Sequence, residues 1–234
     1  MQQAPICNPT TTTARWWSKD SIAIVTGANK GIGYALVKRF AQLGLTVVLT
    51  SRDPSKGVKA VDSLKVLGLD GNICFCQLDI SDQASVRSFV SWFRSKFDAF
   101  DILKLKNTKM KAILGDEKRL SEDRIDMVVG VFLQDVKDGR WERQGWPDIW
   151  TDYSVSKLAL NAYSRVLARR YEGLVSVNCF CPGFTQTAMT DGQGKHSADD
   201  AAEMAASLAL LSPSRLTTGK FYTGSTTRGM HSKL

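Results

Sequence analysis

Apolar positions fall into two alternating rhythms along the first hundred residues. Residues 22–25 form a short apolar run that ends in a glycine-rich turn, and 34–43 then carries apolar side chains at helical spacing before Gly44. The next run, 45–49, is β-branched and bounded by polar residues, which predicts a second strand. Helical period returns over 56–67, ahead of a turn at 68–71, and a third strand is predicted over 73–78, ending at Asp79. Residues 81–97 read as a helix with Val86, Phe89, Val90 and Phe93 on one face and Ser81 or Asp82 as its cap.

Strand and helix in strict alternation predict a parallel sheet with helices on both faces, joined by right-handed crossovers. The rhythm then breaks. From 104 to 152 no strand is predicted: 104–114 is short and basic, 121–138 is amphipathic with Ile125, Val128, Val129, Phe132 and Val136 on one stripe, and a loop follows with Trp141, Trp146, Pro147 and Trp150. A long helix is predicted over 153–171, a strand over 174–180, a turn at Cys181-Pro182-Gly183, a helix over 198–211 and a last short strand near 220–222. The expected fold class is α/β, a Rossmann-like doubly wound parallel sheet reduced in strand number, with a helical insertion at 104–152. Residues 1–20 are expected to be a flexible arm before a single domain at 21–234.

Composition narrows the partners. With 43% hydrophobic and 23% charged residues, and no apolar run near the roughly 18 residues of a membrane span, a soluble protein that does not enter the membrane is expected. Lys and Arg outnumber Asp and Glu by 31 to 23, which favours anionic ligands. The basic residues are scattered and no zinc-finger or aromatic RNA-binding pattern is present, so nucleic acid is not an expected partner. Five cysteines, Cys7, Cys74, Cys76, Cys179 and Cys181, form an odd set, and residues 1–20 lack the apolar stretch of a secretory signal; reduced thiols in an intracellular compartment are expected. Each Cys-x-Cys pair lies in a strand-like run, where residues two apart share a face and Cys acts as a small hydrophobe, so no metal site is assigned. The tail Ser232-Lys233-Leu234 matches a peroxisomal import tripeptide, an alternative to the cytoplasm.

The first turn reads Thr26-Gly27-Ala28-Asn29-Lys30-Gly31-Ile32-Gly33, between a strand and a helix. Glycines there let backbone approach a pyrophosphate, whose charge meets unpaired N–H groups at a helix N-terminus. At the end of the second strand, where an NAD-selective site places a carboxylate, this chain has Ser51-Arg52, followed by Asp53. Arg52, helped by Lys30, can hold a ribose 2′-phosphate by charge-assisted hydrogen bonds, so NADP(H) is the expected cofactor. Tyr153-Ser154-Val155-Ser156-Lys157 puts Tyr153 and Lys157 on one helix face. The ammonium can then lower the phenol's pKa, and the phenol can protonate a carbonyl oxygen as hydride reaches its carbon.

Together with Cys181-Pro182-Gly183-Phe184-Thr185-Gln186-Thr187, these motifs resemble the short-chain dehydrogenase/reductase family. The similarity runs over residues 21–101 and 116–234 and is to its plant carbonyl reductase-like group, that of neomenthol dehydrogenase and salutaridine reductase. The resemblance implies an NADPH-dependent oxidoreductase that reduces a lipophilic ketone or aldehyde of terpenoid or alkaloid type, with Tyr153 and Lys157 catalytic. It also implies cofactor contacts from Gly27, Asn29, Lys30, Gly31, Ile32, Gly33, Arg52, Asp79, Ile80, Tyr153, Lys157, Pro182, Gly183, Thr185 and Thr187. Asp79 matches the family's adenine-contacting aspartate, though an acid there can also cap a helix. The insertion covers the surface other members use to oligomerise, which implies a monomer. Trp141, Trp146 and Trp150 are candidates for the substrate pocket or for core packing.

In one respect the chain departs from that pattern. After Phe100-Asp101-Ile102-Leu103 the family continues through its fourth strand to an Asn-Asn-Ala-Gly turn, a helix with a further Asn, and a fifth strand bearing the catalytic Ser; here Lys104 follows at once. Two strand–helix units correspond to roughly 60 residues. An internal deletion is therefore expected, and no residue takes the roles of that Ser or those Asn residues. The alternative function is an impaired, splice-like variant that binds NADP(H) without turnover.

Overall fold

The computed structural model describes residues 15–69, 71–96, 102–104, 120–146, 151–212, 215, 217–223 and 231–232. These fall into two compact units. The first takes in the described parts of Met1–Leu105 and Pro182–Ser212, the second those of Lys106–Cys181, Pro213–Gly224 and Met230–Leu234.

In the first unit, β1 (Ile22–Val25), β2 (Thr46–Ser51), β3 (Ile73–Gln77) and β4 (Ile102–Lys104) form a sheet in the order β3-β2-β1-β4. Every pairing is parallel, with Ala23 opposite Val47 and Val47 opposite Ile73. Helices α1 (Gly31–Gln42), α2 (Pro54–Val66) and α3 (Gln83–Lys96) follow the first three strands, and α6 (Ala198–Ala209) completes the unit.

Strand alternation sends side chains to two faces, and the helices divide accordingly. Ile24, Val48, Leu78, Phe89 and Phe93 form one buried cluster, joined by Cys74 and Cys76, so this face packs on α3. Phe75 points the other way, against Gly57 of α2, where a Cβ would lie 2.0 Å from its ring. The four described cysteines are free thiols. Burial pushes the Cys74 thiol up to about 11, with the neighbouring Cys76 adding to the shift. This is the chemistry of packed hydrophobes, not of reactive thiolates.

Helix α6 buries Ala201, Ala202, Ala205 and Ala206, small side chains that allow close approach to α1. Ion pairs Lys38–Asp199, at 2.8 Å, and Arg39–Glu203 flank the contact. Residues 15–20 are the described end of the segment expected as an arm. Trp16 Nε1 donates to the Leu210 carbonyl and Trp17 Nε1 to the Leu43 carbonyl, so two indoles satisfy carbonyls at the C-termini of α6 and α1. Residues 1–14, Cys7 among them, lie outside the described residues.

The second unit holds α4 (Glu122–Lys137), α5 (Thr151–Arg170), β5 (Cys179–Cys181), β6 (Phe221–Thr223) and β7 (His231–Ser232). Strand β6 pairs parallel with β5 and antiparallel with β7. Its core is Leu120, Ile125, Val128, Leu158, Ala162 and Val166, with Trp146 packed against it. The α4 stripe differs from the one expected. Ile125, Val128 and Phe132 are buried with Asp135, whereas Val136 is exposed. Asp135 is tolerated because its Oδ2 accepts from Trp146 Nε1 at 2.9 Å and Arg140 lies beside it. Trp146 also stacks edge-on against Phe132 at 5.1 Å, which places it in the core. Pro147 and Trp150 lie outside the described residues, as does the basic stretch 105–114.

The strand expected over 174–180 shrinks to Cys179–Cys181. Leu174 is 82% exposed, and the partner β6 is itself only three residues long, which limits the ladder. Strand β4, which the apolar rhythm did not predict but which falls where the resemblance places the family's fourth strand, is held by its ladder with β1. Among the described residues no helix is long and apolar enough to cross a membrane.

Candidate functional site

The glycine turn follows β1 directly. Gly27 and Gly31 adopt φ of 61° and 60°, a left-handed conformation that costs glycine little. A Cβ on Gly33 would meet the Gly27 carbonyl oxygen at 2.8 Å and Ala28 Cα at 3.0 Å, so the helix starts flush against the turn. Ala28 is buried and its N–H donates to the Thr50 carbonyl at 2.8 Å, which ties the turn to the end of β2. Lys30 stands at the α1 N-cap without a side-chain cap, and no acid occupies the first turn. The result is a helix N-terminus whose orphan N–H groups no side chain caps among the described residues, with Gly27 exposed beside it and Asn29 half-buried in the turn.

Beside the turn lies the segment 182–187 of the same unit. Thr187 Cγ2 is 3.7 Å from the position of a Gly31 Cβ, so the structure brings these two motifs together. Thr187 caps the short 3-10 turn Ala188–Thr190 in a reciprocal box with Thr190. Pro182 and Thr185 are buried, and Thr185 Oγ1 donates to the Gly183 carbonyl. Gly183, at φ 82°, sits against the His196 ring.

At the end of β2, three consecutive residues are held by different partners. The Ser51 carbonyl accepts from Leu78 N–H at 3.1 Å and the Arg52 carbonyl from Gln77 Nε2 at 3.2 Å. Asp53 caps α2, its Oδ1 accepting from the Ser55 and Lys56 N–H groups and the Ser55 hydroxyl. Those bonds hold its carboxyl at about 2, below the usual value of 3.8. The acid beside Arg52 is thus committed to a helix. Arg52 itself is exposed, and no described group hydrogen-bonds its guanidinium.

Asp79 does not cap α3; Asp82 does, accepting from the Ala84 and Ser85 N–H groups. Asp79 Oδ1 instead accepts from the Ser81 hydroxyl and N–H. These bonds, with the Arg52 charge adding to them, hold its carboxyl below the ordinary range. Ile80 is 65% exposed in the turn that follows.

The catalytic pair lies in the second unit. Tyr153 and Lys157 are both half-buried on α5, on the flank of the face that buries Val155, Leu158 and Ala162. Lys157 Nζ lies over the Tyr153 ring, 5.2 Å from its centroid. Sequence reasoning missed Gln77 and Asp135. The one available signal for Gln77 was a polar residue closing an otherwise apolar strand.

A parallel sheet with helices on both faces and a glycine turn after its first strand defines a Rossmann-like α/β protein. Within that class, the chain belongs to the short-chain dehydrogenase family, whose profile matches residues 21–136 and 143–198. It is an oxidoreductase by family. It is 29% identical to (+)-neomenthol dehydrogenase of Arabidopsis thaliana over 281 residues, covering 86% of this chain and 95% of that one. Among solved structures, salutaridine reductase from Papaver somniferum superposes with a TM-score of 0.78 at 28% identity, covering 86% of this chain and 99% of that one. A short chain dehydrogenase from Burkholderia cenocepacia, solved in complex with NADP, superposes with a TM-score of 0.60 at 26% identity, covering 88% and 96%.

Proposed function

We propose that this chain is an NADPH-dependent reductase of lipophilic ketones or aldehydes of the terpenoid or alkaloid type. The observation that carries the reading is the turn Gly27–Gly33: an uncapped helix N-terminus, flush packing that only glycine permits, and Arg52 beside an acid already spent as a cap. These fit a pyrophosphate and a ribose 2′-phosphate, with Lys30 adding charge. Support also comes from the NADP complex of the Burkholderia relative. When bound, NADPH supplies the hydride.

The chain's own residues handle the proton. Tyr153 donates its phenolic hydrogen to the carbonyl oxygen, which becomes the alcohol, and is left as a phenolate that the Lys157 ammonium stabilises. Asn29, Gly31, Ile32, Asp79, Ile80, Pro182, Gly183, Thr185 and Thr187 complete the proposed cofactor contacts. We read the chain as a monomer, on the strength of its helical insertion.

We assign no residue to the carbonyl-binding Ser or to the Asn residues of the family. Loss of one donor to a developing oxyanion costs about 10²–10³ in turnover, so slow reduction is expected. Absorbance at the nicotinamide band, with a panel of cyclic ketones, tests this reading. Ketone-dependent consumption of NADPH supports it, and none with any ketone at saturating cofactor refutes it.

A further inference from the structure

Three consecutive residues define the end of β2, and one of them is held by a side chain that no motif includes. The Ser51 carbonyl is held by backbone and Asp53 by the helix it caps; only the Arg52 carbonyl depends on a neighbouring strand's side chain, Gln77 Nε2 at 3.2 Å. Gln77 ends β3 and is paired in register with Ser51, one residue before Arg52. Its amide therefore reaches along the sheet and fixes the peptide plane from which the Arg52 side chain leaves. A peptide free to rotate there would let the guanidinium sweep a wide arc. Its planar fork gives strong phosphate contacts only when oriented.

We propose that Gln77 is a positioning residue for 2′-phosphate selectivity, acting through the Arg52 carbonyl. The inference rests on the reading of Arg52 as the group that meets that phosphate. Among the described residues the Gln77 side chain hydrogen-bonds the Arg52 carbonyl and neither the glycine turn nor α2, so its removal leaves the pyrophosphate cradle and the Asp53 cap in place. NADH, which lacks the 2′-phosphate, does not use Arg52 and is indifferent to its orientation.

Dissociation constants for NADPH and NADH, measured by titration on the full chain, test this with Gln77→Ala and the near-isosteric Gln77→Glu, which removes the donor. Loss of one hydrogen bond of this kind corresponds to about a three- to tenfold change. Both variants are expected to bind NADPH about three- to tenfold more weakly while NADH binding stays within about twofold. Melting curves confirm folding, since Gln77 is exposed. Equal weakening of both cofactors, or no change in either, overturns the proposal. Arg52→Ala separates the two levels of the argument. If it erases the NADPH preference and the Gln77 variants do not, the positioning role fails and the Arg52 reading stands. If wild type shows no preference, or Arg52→Ala keeps it, the Arg52 reading fails and the inference falls with it.

Discussion

Replacing Gly33 by Ala distinguishes a ligand cradle from ordinary helix surface. The new methyl would lie 2.8 Å from the Gly27 carbonyl oxygen and 3.0 Å from Ala28 Cα. A close carbon–oxygen contact needs about 3.3 Å, so turn and helix must part by roughly half an ångström. Both neighbours are backbone atoms and cannot rotate aside. Overpacking of this kind costs about 1–3 kcal/mol, and the gain in helix propensity returns about 1 kcal/mol. The net loss of about 0–2 kcal/mol corresponds to a Tm lowered by at most roughly 8 °C. Binding suffers more, because the parted N–H groups no longer converge on one phosphate, and misplacement of this order costs about tenfold or more. The same substitution at Gly130, on an exposed face of α4 with nothing within 4 Å, is the control; it should stabilise by about 0.5–1 kcal/mol. Thermal melts and calorimetric titration with NADPH read both effects. Wild-type NADPH affinity and an unchanged or raised Tm in Gly33→Ala would refute the argument.

Further outcomes follow from the same geometry. Tyr153→Phe should lower ketone turnover by about 10²-fold or more while NADPH affinity stays within about twofold, as stopped-flow and titration would show. Because the Asp53 carboxyl sits at about 2 in the folded chain against 3.8 ordinarily, its cap contributes fully above 3.8 and is lost as pH falls through about 2. Tm should therefore fall more steeply over that window in wild type than in Asp53→Asn, which caps without titrating. Gly57→Ala places a Cβ 2.0 Å from the Phe75 ring and should cost about 1–3 kcal/mol in urea denaturation, with Phe75→Leu added in the same chain restoring much of it.

The first three strands and their helices were legible because each carries its own period: β1 to β3 are apolar runs, and α1 to α3 bury one stripe each. Boundaries moved where capping decided them. Helix α2 starts at Pro54 and not at Lys56 because Asp53 caps it, a local bond that periodicity does not report. Strand β4 was legible through the resemblance and not through periodicity, since Ile102–Lys104 is too short to show a period and is held by pairing with β1. The expected strand over 174–180 failed for the opposite reason: its apolar pattern was present, but a three-residue partner ladders only its end. The site motifs were legible as strings, while the bonds that orient them were not. Nothing in Ser51-Arg52-Asp53 says which residue the α2 N-terminus claims or that Gln77 holds the middle carbonyl. Likewise, Asp135 looked like helix surface until Trp146 supplied its partner.

If the turn Gly27–Gly33 and Arg52 form an NADP(H) site on a chain that carries the Tyr153–Lys157 pair, the cofactor must bind there saturably. Titration of the full chain with NADPH, followed by energy transfer from tryptophan to the nicotinamide and by melting with and without cofactor, tests it most directly. Saturable binding, a raised Tm with NADPH, and a smaller rise with NADH at the same concentration are expected. No saturable transfer and an unshifted Tm would contradict it.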